Sequence, residues 1–297
     1  MDIFLAVFTY FAYIFIIVMY TVKAVKYIRM PTHLRWELYS ATGKGEHFQN
    51  ASCFEGTDRK DVHRKYTLQR LLFLLKEYFT LSEYYKRHTS YWLFLYLWHI
   101  GFILIITFHI FCFFGAVTML FDITISSASS NVSGIVLYFA IFFTGVISFI
   151  TGALGSTGLL VKRVVDKDLS LYASPLNYFS YAFTLAVFLS GLYAWFFVDP
   201  MLSEYRAFWK GLITLNYIHV KPGAAVHIVL FNLFLIYLPF TRSMHYITRF
   251  FAFFLIRWDD EPNLRGSELE KKLQELLDQK ITWSAPHIKS GRTWREQ

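Results

Sequence analysis

Four histidines carry the chemistry this chain could perform: His99 and His109 in one apolar run, His227 and His245 in another. An ionisable side chain inside a bilayer is costly, and one that is present usually serves function. Neutral imidazole nitrogen is a good axial ligand for haem iron, and helical bundles commonly hold such cofactors between facing helices. His227 and His245 stand 18 residues apart, a whole number of turns, so one continuous helix would present both on one face, about 27 Å apart. His99 and His109 stand 10 residues apart, about 15 Å on the same measure. If the two helices run antiparallel, His109 meets His227 at one depth and His99 meets His245 at the other. Two bis-histidine sites at two depths are the ligand set of a diheme cytochrome b. The unequal spacings call for helix tilt or a kink at Pro239, and His88 is a spare ligand beside His99. The alternative is a haem-free scaffold or transporter in which all four are hydrogen-bonding core residues.

The elements that must position these residues are apolar and long. The chain has 297 residues, of which 55% are hydrophobic, 20% aromatic and 17% charged, with a mean hydropathy of +0.38. A soluble domain carries about 25% charged residues. The expected class is an all-α integral membrane bundle of five transmembrane helices. The expected spans are Ile3–Val22, Tyr91–Leu120, Ile135–Val165, Leu176–Val198 and 221–249. The first run is expected to be a span rather than a signal peptide, because no small-residue cleavage site follows it. Tyr66–Tyr85 mixes apolar helical spacing with charges and predicts an amphipathic helix at the membrane surface. Ser267–Lys280 predicts a soluble amphipathic helix with an N-cap serine. The segment carrying Arg206, Lys210 and Lys221 reads as a loop. Residues 1–250 are read as the membrane domain, including the cytoplasmic segment 23–89, and 251–297 as a cytoplasmic partner-docking tail.

Charge sets the orientation. Of 29 Lys and Arg residues, 26 fall in 23–89, in 162–174 or after residue 241. The positive-inside rule then places the N-terminus outside and the tail in the cytoplasm of a multi-pass protein of the cell membrane. The net charge of +8 is therefore topological, and nucleic-acid binding is excluded as the reading. Two cysteines, Cys53 and Cys112, without a Cys-x-x-Cys motif exclude a cluster of the chain's own and a disulfide framework.

Other residues are candidates by position. Arg242 and Arg249 flank His245, and Arg87 lies below His99; these could pair with haem propionates or simply anchor the inner surface. His219, Lys221, Asp199 and Tyr217 fall near the outer end of the fifth span, where a quinol giving up protons would need a polar acceptor. The glycines of the third span could admit a flat porphyrin or permit tight helix packing. No nucleophile triad or phosphate loop is present.

Several stretches carry a resemblance. They are Pro31-Thr32-His33-Leu34-Arg35-Trp36-Glu37-Leu38-Tyr39, His99-Ile100-Gly101 and Leu238-Pro239-Phe240-Thr241, then Arg257-Trp258-Asp259-Asp260-Glu261-Pro262-Asn263 and Thr282-Trp283-Ser284-Ala285-Pro286-His287-Ile288. Together they resemble the membrane cytochrome b subunits of the Dsr and Hme-type menaquinol oxidoreductases of sulfur-metabolising prokaryotes. The five spans and histidine spacings also resemble the gamma subunit of respiratory nitrate reductase. The resemblance implies two b haems on the pairs His109/His227 and His99/His245, and menaquinol oxidation near the outer haem. It also implies a cytoplasmic iron–sulfur partner of heterodisulfide-reductase type, in sulfur-compound respiration. A periplasmic cytochrome or a second membrane subunit is left open as a further partner.

Overall fold

The computed structural model describes residues 2–29, 67–241, 244–245, 247–248, 266 and 268–297. They are helical, with only isolated β-bridges and no strand among them. Five helices are long and apolar enough to cross a membrane. These are α1 (Asp2–Ile28), α4 (Thr89–Met119), α5 (Val132–Val165), α7 (Pro175–Tyr193, prolonged by a π-helical turn at Ala194–Val198) and α9 (Pro222–Tyr237, prolonged by a 3-10 turn at Leu238–Phe240). The shorter helices are α2 (Thr67–Thr80), α3 (Ser82–Arg87), α6 (Lys167–Leu171), α8 (Ser203–Thr214) and α10 (Glu268–Leu277). The large apolar side chains Phe4, Ile14, Phe143 and Leu154 are exposed, as lipid-facing positions require.

Local chemistry explains the boundaries. Pro175 and Pro222 sit in the first turns of α7 and α9, where the missing N–H costs nothing. The predicted surface helix is broken at Leu81, whose φ of 49° is left-handed, so α2 and α3 are separate. The predicted fifth span to residue 249 is too long. The α-helix stops at Tyr237, because Pro239 has no N–H for the ladder and its ring crowds the preceding turn. His245 follows that break, so His227 and His245 do not share one continuous helix. The predicted loop at Arg206 is also corrected: Tyr205, Phe208, Trp209 and Leu212 recur at helical spacing and form the buried face of α8.

The chain divides into two compact units, Met1–Ile17 with Phe79–Phe240, and Val18–Tyr78 with Thr241–Gln297. The 250/251 boundary read from the sequence falls among residues outside those described. In the first unit α4 and α5 pack backbone to backbone. A Cβ on Gly101 would lie 2.6 Å from the Gly152 Cα, and one on Gly155 would lie 2.2 Å from the Trp98 nitrogen. The glycines of α5 are thus spent on helix packing rather than on space for a macrocycle. Further along α5 and α7 the small positions take rings: a Cβ on Gly152 would meet Phe188, and one on Gly191 would meet Phe149. Buried Asn232 of α9 donates to the Thr9 hydroxyl at 2.9 Å, tying α9 to α1. In the second unit the tail closes on itself: Ile281 donates to the Arg292 carbonyl, Trp283 lies edge-on to Trp294, and Thr293 with Glu296 forms a capping box.

Candidate functional site

His109 of α4 and His227 of α9 are 5% and 4% exposed, so neither imidazole reaches solvent or lipid. Each has one nitrogen engaged by its surroundings. His109 Nδ1 lies 2.7 Å from the Ile105 carbonyl oxygen one turn back, and since a carbonyl can only accept, Nδ1 carries the proton. His227 Nδ1 lies 2.9 Å from Ser190 Oγ on α7. The Ser190 hydroxyl gives its proton to the Val187 carbonyl at 2.8 Å, so it accepts from His227 and again fixes the proton on Nδ1. Both Nε2 atoms then present a bare lone pair. Both are buried and have no hydrogen-bond partner. An unsatisfied buried acceptor costs about 1–3 kcal/mol, and two in one core ask for an explanation.

The walls are aromatic. Phe231, one turn after His227, stacks on His109 with ring centroids 3.7 Å apart and planes 6° apart. The same ring lies 6.3 Å from His227. Phe108 and Tyr205 meet His109 edge-on, and Phe149 meets His227 edge-on at 5.3 Å. Among the described residues no group of three or more His, Cys, Asp or Glu side chains converges. That separates this pair from a zinc-type centre, which uses three or four protein ligands. The donor set fits a bis-imidazole haem: two neutral imidazoles from facing helices, each with its second nitrogen anchored, as second-shell bonds orient metal-ligating histidines. Because both Nε2 atoms are closed off, a flat macrocycle enters only if neighbouring rings move, Phe231 first, since it touches both imidazoles.

The other two histidines lie in different compact units. His99 is part-exposed on α4 in the first unit, and His245 is exposed in the second. Their pairing stays a reading of the sequence. His88 is exposed at the junction of α3 and α4.

The four polar residues predicted near the end of the fifth span have separate employments. Asp199 is 7% exposed and accepts from the backbone N–H groups of Ser203, Glu204 and Tyr205 and from the Ser203 hydroxyl, at 2.7–3.2 Å. It satisfies the first-turn donors of α8 and has no free edge for a quinol proton. Asp199→Ala is expected to cost about 1–2 kcal/mol through the lost cap; thermal unfolding in detergent measures it. His219 is exposed and pairs with Asp2 at 3.1 Å, and Lys221 pairs with Glu204 at 3.4 Å. Tyr217 lies beside Tyr10, whose hydroxyl donates to the Leu212 carbonyl. Asp199 and Lys221 both engage Glu204, through its backbone N–H and its carboxylate, whereas His219 and Tyr217 are held against Asp2 and Tyr10 of α1.

Of the predicted propionate partners, Arg242 and Arg249 lie outside the described residues, and Arg87 is exposed in the last turn of α3. The motifs at 31–39 and 257–263 also lie outside them. Sequence reasoning missed Ser190, Tyr205 and Phe231. Phe231 was findable, being four residues after His227 on the same face; Ser190 had no signal of its own. No family model, curated protein or solved structure matches the chain.

Proposed function

We propose that this chain is the diheme cytochrome b subunit of a redox complex in the cell membrane, oxidising menaquinol and delivering electrons to a cytoplasmic iron–sulfur subunit of heterodisulfide-reductase type. The N-terminus is outside and the tail inside. The observation that carries the reading is the pair of buried, partnerless Nε2 atoms on His109 and His227, each with its Nδ1 proton held by a fixed acceptor. A b haem held by them would supply one-electron transfer within the low-dielectric core. The protein's part is to keep both imidazoles neutral, orient them and exclude water. Ile105 and Ser190 set the tautomers, and Phe108, Phe149, Phe231 and Tyr205 keep the site dry. His99 and His245 are the second ligand pair of this reading. The cytoplasmic segment 23–89 and the tail offer the docking surface.

The test is a reduced-minus-oxidised visible spectrum and a haem assay on protein produced with haem available. Two b haems per chain are expected. A colourless preparation sinks the reading in favour of its rival, a haem-free membrane anchor or transporter subunit. One observation favours that rival: the close aromatic packing around both Nε2 atoms.

A smaller change probes the same site. Ser190→Ala removes the side-chain acceptor that helps fix the His227 tautomer and leaves the imidazole only the Val187 carbonyl beside it. Losing such a partner weakens binding about 10- to 100-fold, so faster transfer of one haem to an acceptor apoprotein is expected.

A further inference from the structure

Along α5 runs a groove of about 830 Å³, within the roughly 300–1,000 Å³ range of small-molecule sites. Phe94 of α4 and Leu189 of α7 border it, and its α5 wall runs from Ile150 to Lys162 and on to Asp166. Polarity falls along it in one direction. At one end the part-exposed Lys162 donates to the Ser90 hydroxyl at 3.2 Å. Among the described residues no carboxylate pairs with this ammonium. Asp166, at the same end, gives Oδ1 to the amides of Asp168 and Leu169 as the N-cap of α6. Thr157 comes next, five residues from Lys162, about 7.5 Å on an ideal helix. Thr144, Ser148 and Thr151 spend their hydroxyls on carbonyls of α5 itself, whereas the exposed Thr157 hydroxyl makes no such bond among the described residues. Beyond it the wall is aliphatic, with Leu154, Ile150 and Leu189 exposed.

The polar end sits at the depth of an interfacial belt. Ser90 is followed by Tyr91 and Trp92; Trp92 stacks on Tyr96 with ring centroids 4.9 Å apart, and its indole N–H donates to the Thr80 carbonyl at 2.9 Å. Tyrosine and tryptophan collect where headgroups meet hydrocarbon. From Lys162 to Ile150 is twelve residues, about 18 Å on an ideal helix, close to the roughly 15 Å of hydrocarbon in one leaflet. The lining ends at Ile150, whereas α5 continues to Val132. A partner helix would need a face across the whole bilayer; an acyl chain needs one across a single leaflet. A lysine ammonium is a point charge that suits phosphate, and basic pockets between membrane helices take anionic headgroups.

We infer that this groove holds one anionic phospholipid from the leaflet on the lysine- and arginine-rich side, with its phosphate on Lys162 and Ser90, an ester carbonyl at Thr157 and an acyl chain along Leu154 and Ile150. The order of ammonium, hydroxyl and aliphatic wall matches that of phosphate, ester and chain. A quinol ring would ask for an aromatic slot, and among the described residues Phe94 is the one ring in the lining. Nothing in this site depends on haem at His109 or elsewhere.

Native mass spectrometry of the full chain in detergent, titrated with phosphatidylglycerol or with phosphatidylcholine of the same acyl chains, reads the occupancy directly. One phosphatidylglycerol is expected to bind about fivefold more tightly than phosphatidylcholine, the weight of one lysine at a membrane surface. Lys162→Gln is expected to remove that preference by weakening phosphatidylglycerol about fivefold and leaving phosphatidylcholine within twofold. Thr157→Trp fills the groove and is expected to abolish binding of both lipids at this site. Lys167→Gln removes a cation at the same end of the bundle but outside the groove, and is expected to change neither. Lys162→Gln and Thr157→Trp each carry the test if the other variant does not assemble. Equal affinities for the two lipids in the wild type overturn the inference, as do equal losses in Lys162→Gln and Lys167→Gln, which would mean diffuse surface charge. Undiminished lipid binding in Thr157→Trp overturns it as well. Retention of an isoprenoid naphthoquinone in preference to either lipid also overturns it, and assigns the groove to a quinol.

Discussion

Replacing His109 with alanine, or His227 with alanine, is expected to remove the same haem and leave the other in place. Haem content would fall from two per chain to one in either variant, and the double variant would lose no more than each single one. The expectation follows from geometry. The two imidazoles come from α4 and α9, share the Phe231 ring as neighbour, and hold their Nδ1 protons on separate acceptors, the Ile105 carbonyl and the Ser190 hydroxyl. On the diheme reading, losing either would leave a single histidine ligand in a buried, aromatic-walled site. A haem assay with low-temperature spectra of each variant checks this. If the two substitutions removed different haems, the pairing would be wrong. If both left two haems, neither histidine would be a ligand.

The second large effect is steric. Gly155→Ala is expected to destabilise the bundle by about 1–3 kcal/mol or more, the range for overpacking a filled core. Its Cβ would lie 2.2 Å from the Trp98 nitrogen and 2.6 Å from the Trp98 Cα. Those are backbone atoms of the facing helix, so relief requires α4 and α5 to separate, which also displaces His99, the next residue. Gly158→Ala is the control. Its Cβ would strike Phe94 at 1.9 Å from Cδ1 and 2.3 Å from Cγ, side-chain atoms that a new χ1 rotamer at the edge of the groove can carry away without moving a backbone. Thermal unfolding of both variants in the same detergent should rank Gly155→Ala as the more damaging. Equal losses would mean that the α4–α5 contact yields more readily than its backbone approach implies.

The histidine pair and the packing it depends on were legible to different degrees in the sequence. Five spans could be counted because each is a long apolar run, and a backbone in lipid must satisfy its polar groups within the segment. His109 and His227 could be singled out because ionisable residues in such runs are rare. Two readings failed for identifiable reasons. The α8 helix was taken for a loop although Tyr205, Phe208, Trp209 and Leu212 are spaced 3, 1 and 3 residues apart, because its charges outweighed its apolar face. The fifth span was drawn on to residue 249 with Pro239 read as a kink, whereas its missing N–H ends the α-helix at Tyr237.

By itself, then, the sequence determined an all-helical chain with five membrane-crossing segments and two apolar helices bearing histidines. These properties are local: composition and periodicity act residue by residue along one segment. Only the tertiary structure decided which nitrogen of each imidazole is held and which is left bare. It also decided that Asp199 caps α8 and that the α5 glycines serve helix contact. Each of these depends on a meeting between side chains far apart in the chain, such as Ser190 with His227 or Gly101 with Gly152, and no spacing within one segment encodes which distant residue will be opposite.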